Sequence, residues 1–177
     1  DSALINNGGK VSQVSLEYSW MTINGGETGG VSGEWSGVTI NDGVVGGVSL
    51  VSCNELTMKG GNVGAVDIMD SCRVSLEGGS VGSVYGYDAD IGFHGGEFGR
   101  VELCCDSSFS ISGGHFRERV SIDSHSFGTV SGGTFASTID YTRDSQYIYF
   151  YGELTLGDMF LLDEPERELT HGRQLNG

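Results

Sequence analysis

A pair of glycines returns at a nearly fixed interval along most of this chain. The pairs, with one variant at the third position, are Gly8-Gly9, Gly25-Gly26, Asp42-Gly43, Gly60-Gly61, Gly78-Gly79, Gly95-Gly96, Gly113-Gly114 and Gly132-Gly133. Their spacings are 17, 17, 18, 18, 17, 18 and 19 residues, and a fixed period in this range is typical of a solenoid. Because glycine adopts positive φ without steric cost, each pair also marks a sharp corner.

A short alternating apolar strand precedes each pair, and further apolar columns follow it. The inward positions before the pairs read Leu4, Met21, Val38, Leu56, Val74, Ile91 and Phe109, then Ile23, Ile40, Met58, Leu76, Phe93 and Ile111. Alternation of this kind is typical of a strand with one buried face. We therefore predict an all-β, single-stranded parallel β-helix, or β-solenoid, of about eight coils of 17–19 residues; the pattern leaves its handedness undetermined.

The repeat divides the chain into two parts. Residues 1–145 carry the solenoid repeats, and residues 146–177 read as an atypical C-terminal strand or cap followed by a polar tail. In this second part Tyr147, Tyr149 and Tyr151 alternate with Ile148 and Phe150. We expect the segment to cap the solenoid or to dock against a neighbour.

The charge balance restricts the choice of partner. Acidic residues outnumber basic ones 24 to 9, which gives a net charge of −15. A surface of this sign repels phosphate backbones and anionic headgroups, so we expect no nucleic-acid partner. The sequence contains no apolar run long enough to span a bilayer and no leader pattern, so we expect no membrane insertion. Acidity, few lysines and glycine-rich strands together favour an extracellular or cell-surface setting.

The consensus apolar-Thr/Ser-apolar-x-Gly-Gly-x-Val/Phe-Gly-x-Val is clearest in VTINDGVVGGVSL and LTMKGGNVGAVDI. It resembles the glycine-rich parallel β-helix repeats of bacterial secreted and surface proteins, including adhesin-like rods. The resemblance implies a secreted rod, and such rods serve as adhesins, fibres, ice-binding proteins and polysaccharide-active enzymes. The regular Asp of calcium-binding nonapeptide repeats is missing, and we expect no metal or cofactor.

The four cysteines fall into two pairs. Cys53 and Cys72 lie 19 residues apart, about one coil, at nearly the same corner. Their Cα atoms are therefore expected within disulfide range, and either a bridge or two buried thiols would suit the site. Cys104 and Cys105 are adjacent, and we expect one of their thiols to point inward. Their spacing to the histidines matches no zinc pattern.

Five aromatic residues are candidate ligand-binding groups. Tyr18, Trp20 and Trp35 fall at one corner of the first two coils, and Tyr85 and Tyr87 lie further along. Exposed aromatics stack on sugar rings or anchor a protein contact, although part of this set could simply cover the corner.

Two alternative functions depend on surface rows. A polysaccharide lyase or hydrolase would use the charged cluster of His94, Glu97, Arg100 and Glu102 with His115, Arg117, Glu118 and Arg119. Mixed charges on a rod are more often a solvated face, and no long loop covers these residues. An ice-binding face would use Thr22, Thr39, Thr57 and Ser75, but the neighbouring charges of Lys59 and Glu77 interrupt it.

The ends of the rod carry the functional hypothesis that we prefer. An open β-helix end exposes unpaired backbone groups and apolar core, and the repeat begins at Leu4 with no capping segment before it. We therefore predict a non-catalytic structural or adhesive rod that pairs with itself end to end, with glycans as a further partner. The predicted contact residues are Leu4, Ile5 and Met21 at one end and Tyr147, Tyr149, Phe150 and Tyr151 at the other.

Overall fold

The described part of the chain is built entirely from strands. The computed structural model describes residues 2–123, 125–137, 139–141, 147–150 and 155–156. Within these ranges it contains 21 strands, each paired in parallel with its neighbours, and no helix. It follows that the described residues offer no helix able to cross a membrane.

The strands are short, and their bounds follow the repeat. In chain order they are β1 (Ala3–Val11), β2 (Val14–Glu17), β3 (Trp20–Thr28), β4 (Val31–Glu34), β5 (Gly37–Ile40), β6 (Val44–Val45), β7 (Val48–Val51), β8 (Glu55–Met58), β9 (Asn62–Met69), β10 (Arg73–Leu76), β11 (Ser80–Tyr87), β12 (Asp90–Phe93), β13 (Glu97–Cys104), β14 (Ser108–Ile111), β15 (His115–Phe116), β16 (Val120–Ile122), β17 (Phe127–Val130), β18 (Thr134–Phe135), β19 (Ile139–Tyr141), β20 (Tyr147–Phe150) and β21 (Thr155–Leu156).

Each coil contributes to three parallel ladders, which we call faces A, B and C. Face A contains β5, β8, β10, β12, β14, β17 and β20, together with the first halves of β1 and β3. Face B follows the glycine pairs and contains β6, β15, β18 and β21, with the second halves of β1 and β3 and the beginnings of β9, β11 and β13. Face C contains β2, β4, β7, β16 and β19, with the ends of β9, β11 and β13. The predicted parallel β-solenoid of about eight coils is confirmed.

The register places like residues above one another, as the alternation predicts. Leu4 pairs with Met21, Met21 with Val38, and the column continues through the coils to Phe109. From the second coil as far as Phe109 and Ile111, the residues of both inward columns of face A are at most 4% exposed. Leu4 itself is exposed because β1 pairs only with β3 among the described strands. In the later coils the core becomes aromatic, and the Phe116 and Phe135 rings stack 4.7 Å apart.

The glycine pairs form the corner between faces A and B. From Gly26 to Gly133 the second glycine of every pair has a φ between 82° and 108°. The first pair differs, since Gly8 rather than Gly9 takes the positive φ, of 132°. The predicted role of the pairs as corners is therefore confirmed for the later coils and shifted by one residue in the first.

A different type of corner, which the glycine repeat does not predict, joins face C to face A. Its turning residues have positive φ without being glycine: Tyr18, Trp35, Ser52, Ser71, Asp88, Asp106 and His125. From Trp35 onwards each is followed by a small buried residue, namely Ser36, Cys53, Cys72, Ala89, Ser107 and Ser126. Hydrogen bonds join this column across coils: the Ser36 hydroxyl accepts from the Ser19 N–H at 3.2 Å, and the Ser107 hydroxyl accepts from the Ala89 N–H at 3.3 Å. We call this turn the C–A corner.

Parallel pairing continues beyond the predicted boundary at residue 145. Strand β20 pairs with β17, and β21 pairs with β18. The division into 1–145 and 146–177 stays a prediction, while the stacking itself extends through both strands.

Candidate functional site

One end of the stack presents apolar side chains on an edge strand. Ile5 is 59% exposed and Leu4 is also exposed, because no described strand lies on the outer side of β1. Met21 does not share this position. It is 1% exposed, since Leu4 of the first coil covers it, so its assignment to the contact surface is wrong.

Three of the contact residues predicted for the opposite end, Tyr147, Tyr149 and Phe150, lie on β20, the last described strand of face A. Strand β20 stacks in register on β17, which places Ile148 in the column of Leu4 and Tyr149 in the row of Ile5. That outward row runs through Ile5, Thr22, Thr39, Thr57, Ser75, Gly92, Ser110, Thr129 and Tyr149. Tyr149 is exposed. The backbone of β20 places Tyr147 and Phe150 on either side of this pair, whereas Tyr151 lies outside the described residues.

Asparagines add a polar element to the first coils. The Asn41 side-chain amide donates to the Asn24 carbonyl, and Asn24 donates to Asn7, both at 2.7 Å. Asn6, by contrast, is buried at a position that is apolar in the next coils. Its side-chain oxygen accepts from the Gly8 and Gly9 N–H groups at 3.1 and 2.8 Å, and its nitrogen donates to the Thr28 hydroxyl at 3.2 Å. Asn6 thus satisfies the backbone of the first glycine corner.

Three of the five candidate aromatic residues cluster at the C–A corner. Tyr18 and Trp35 occupy equivalent positions in consecutive coils, with φ of 49° and 51°. They are 57% and 48% exposed. Trp20 is exposed as well, and its ring lies over the backbone of Gly37, where a Cβ atom would overlap it. The structure therefore brings Tyr18, Trp20 and Trp35 together on one corner.

A groove runs along the other edge of face C, at the turn from face B. It has a volume of about 510 Å³ and is lined by the in-register hydroxyls of Ser15, Ser32 and Ser49, by Gln13 and Asp67, and by glycine backbone. The outward row continues from Ser49 to Asp67 and on to Tyr85. These serines were not predicted as a site, although their regular spacing of 17 residues is visible in the sequence.

Tyr85 and Tyr87 lie further along face C. Tyr85 is half-buried, and its hydroxyl is 3.5 Å from the Cys104 sulfur. This hydrogen bond, together with nearby acidic groups and burial, raises the pKa of Tyr85 to about 12. Tyr87 is exposed between Met69 and Cys104 in the adjoining row. Neither tyrosine belongs to the cluster at the C–A corner.

The cysteines have distinct environments. Cys53 and Cys72 form a disulfide between successive C–A corners, with their Cα atoms 4.8 Å apart. Cys104 and Cys105 are free, and both are half-buried, in contrast to the expectation that one thiol points inward. A hydrogen bond with Cys104, followed by burial, raises the pKa of Cys105 to about 11. The Cys105 thiol is therefore protonated at neutral pH and a weak nucleophile.

The charged cluster considered for catalysis is divided between faces. Arg117 pairs with Glu97 at 3.8 Å on face B, whereas Arg100 pairs with Glu102, and Arg119 with Asp140, at face C. The His94 ring bonds the Ser112 hydroxyl at 2.9 Å. Among the described residues no three His, Cys, Asp or Glu side chains are placed to hold a metal ion.

The hydroxyl row considered for ice binding is in register but interrupted. Thr22, Thr39 and Thr57 stack directly on face A, and the row loses its side chain at Gly92. Charged Lys59 and Glu77 flank it on one side and Arg73 on the other. The face is thus uneven in both shape and charge.

The fold and these surfaces define the class of the molecule, which is a repeat protein of the parallel β-solenoid type. No known protein family, curated protein or solved structure matches this chain. The functional inference therefore depends on the geometry alone.

Proposed function

We propose that this protein is a non-catalytic structural or adhesive rod of the secreted or cell-surface type, which stacks end to end with further copies of itself. The observation that carries the proposal is that the first and last described strands of face A place similar residues in the same columns. Leu4 and Ile148 belong to one column, and Ile5 and Tyr149 belong to one outward row.

A second copy placed on β20 would extend the face A ladder without changing its register. An edge strand with free N–H and C=O groups pairs readily with another chain. The exposed Leu4 would then become covered, as Met21 is within the molecule, and Ile5 would become half-buried, as Thr22 is. A contact between opposite ends is heterologous, and such contacts produce filaments when they do not close.

The asparagine row supports the same arrangement. Asn24 and Asn41 each donate a hydrogen bond to the asparagine of the preceding coil. The side-chain amide of Asn7, in the first coil, is therefore positioned to donate to an acceptor on a second copy stacked at that end. Stacked amides of this kind stabilise cross-β assemblies. The row therefore gives the interface a direction as well as a polar contact.

The surface chemistry supports a non-catalytic role outside the cell. Among the described residues, the three arginines considered for catalysis form ion pairs on separate faces, with Glu97 at face B and with Glu102 and Asp140 at face C. The Cys53–Cys72 disulfide agrees with an oxidising compartment, since such bonds are rare where thiols are kept reduced.

The substitution Ile5→Lys tests the end contact. A lysine at the edge would place a charge in the interface, and edge lysines are a common device against strand pairing. We expect the wild-type protein to form fibres at high concentration in negative-stain electron microscopy and Ile5→Lys to remain as single particles. The matched control is Val44→Lys, because Val44 is 53% exposed but lies on face B, away from either end.

Two results would contradict the proposal. One is a monodisperse wild-type protein at millimolar concentration, with no fibres. The other is an equal loss of fibres in Val44→Lys and Ile5→Lys, which would indicate a lateral contact instead of an end contact.

A further inference from the structure

Two large aromatic residues occupy a backbone conformation that does not suit them. Tyr18 and Trp35 have positive φ, which bulky side chains adopt only with strain. The equivalent positions of later coils hold Ser52 and Asp88, which are smaller and polar. Strain of this kind is retained when the side chain has a role that outweighs the backbone preference.

These two aromatics lie outside the buried core. Their side chains are about half exposed and contribute nothing to the buried core. They repeat in register, since the Tyr18 N–H donates to the Glu34 carbonyl at 3.2 Å. Trp20 adds a third exposed ring beside them, seated over Gly37. The first two coils therefore carry a platform of three aromatic rings, and it includes both tryptophans of the chain.

The groove lies at the far edge of face C, and the outward residues of β2 and β4 connect it to this platform. Along β2 the outward residues are Ser15 and then Glu17, and along β4 they are Ser32 and then Glu34, which lead directly to Tyr18 and Trp35. Along the rod, the row from Ser15 to Tyr85 covers four coil spacings, or roughly 19 Å at the usual strand separation. The surface is therefore long, narrow and rich in hydrogen-bonding oxygens.

We propose that the face C groove and its aromatic platform bind an extended strand of neutral polysaccharide. Aromatic rings pack against the apolar faces of sugar rings, and the Glu17 and Glu34 carboxylates and the serine hydroxyls accept hydrogen bonds from sugar hydroxyls. The groove lining contains no Lys or Arg, and the net charge is −15, so an acidic polymer is disfavoured. This binding surface is lateral and leaves both ends free, so it does not depend on end-to-end stacking.

Intrinsic fluorescence reports on this surface alone, because the chain has no tryptophan elsewhere. The probes are soluble β-glucan, galactomannan and arabinoxylan, with polygalacturonate as the acidic comparison and polylysine as the cationic one. The titrations use the Ile5→Lys background, so that self-association does not alter the signal. We expect at least one neutral polymer to shift the emission to the blue and to protect the tryptophans from acrylamide quenching.

The substitution Trp35→Asn separates binding from stability. Asparagine tolerates the left-handed region better than tryptophan, so the melting temperature should stay the same or rise. The loss of one ring should weaken binding at least tenfold, measured by affinity electrophoresis in gels containing the polymer. The control is Phe127→Ser, which removes an equally exposed aromatic ring from face A, and its binding should equal that of the parent.

The proposal is overturned if no neutral polymer changes the fluorescence, or if Trp35→Asn binds as tightly as its parent. Binding of polylysine alone, abolished by salt, would also overturn it, because the rings and Glu17 and Glu34 would then form a cation site. Binding of polygalacturonate alone would contradict the assigned charge preference and overturn it as well.

Discussion

Two adjacent glycines at the turn between faces B and C, Gly46 and Gly47, show how closely successive coils approach. At Gly46 a Cβ atom would overlap the Gly29 carbonyl oxygen of the preceding coil. At the adjacent Gly47 the nearest atom to a Cβ would be the Ala65 carbonyl oxygen, at 3.6 Å, which is an ordinary contact. Gly47 therefore has room for a side chain, and Gly46 does not.

This difference predicts opposite effects of alanine. Gly46→Ala should lower the free energy of unfolding by about 1–3 kcal/mol, because the coils must move apart. Gly47→Ala should leave it unchanged or raise it by about 0.4–1 kcal/mol through the reduced freedom of the unfolded chain. Urea denaturation of both variants gives the measurement, and equal losses would show that the coil spacing is not limiting at Gly46.

The inward columns were predictable residue by residue, and the C–A corner was not. Alternation assigns Val38 and Ile40 to the core because strand side chains point to opposite faces with a period of two. Ser36 and Ser107 are equally buried. Because serine usually lies at the surface, the residue type predicts exposure for both positions, which is wrong. The positive φ of Trp35 was also unreadable, since tryptophan has no preference for that conformation.

At the scale of strands, the unit of stability is one coil bonded to the next. The residues between Cys53 and Cys72 make a complete circuit from the start of β8 to the end of β9 and back to the same corner. The disulfide therefore connects two coils that the ladders of faces A, B and C already align. The sequence indicated this pairing because the cysteine spacing equals the repeat.

Removal of this disulfide should cost stability through the unfolded chain. Closing a loop of this length contributes about 3 kcal/mol in the chain-entropy treatment. We expect Cys53→Ser with Cys72→Ser to lower the melting temperature, and a reductant to lower that of the wild type similarly, in differential scanning calorimetry. Cys104→Ser is the control and should keep its response to reductant. An unchanged melting temperature on reduction would mean that the bridge does not restrain the chain.

The strand ladders also explain why the predicted end contact was partly misassigned. Leu4 and Met21 share one column and similar chemistry, so the sequence does not distinguish the outer coil from the one that it covers. The structure makes the distinction because β1, on which Leu4 lies, pairs on one side only among the described strands, whereas β3, on which Met21 lies, pairs on both. The alternation around Tyr149 did predict the strand β20, and the role of its residues in an end contact stays a prediction.

At the scale of the whole molecule, charge opposes association. Each copy carries −15, and two like-charged rods repel when their ends approach. Salt shortens the range of this repulsion, with a Debye length of about 10 Å at 0.1 M and about 3 Å at 1 M. The apolar and hydrogen-bonded contacts of the ends depend much less on salt.

Added salt should therefore promote stacking. Dynamic light scattering from 0.02 to 0.5 M NaCl should show a growing particle size for the wild type and a constant size for Ile5→Lys. A wild-type particle size that is independent of salt, or that falls with it, would argue that opposite charges hold the copies together.

The Cys53–Cys72 bridge also has a mechanical consequence. Under tension applied to its two ends, a stack of coils yields one coil at a time, because each is held mainly by its immediate neighbours. A released coil of about 18 residues adds roughly 60 Å of extended chain. The circuit closed by the disulfide cannot lengthen in this way. The bridge therefore acts as a stop that shortens the total extension of the rod and keeps two coils joined when those on either side have unravelled.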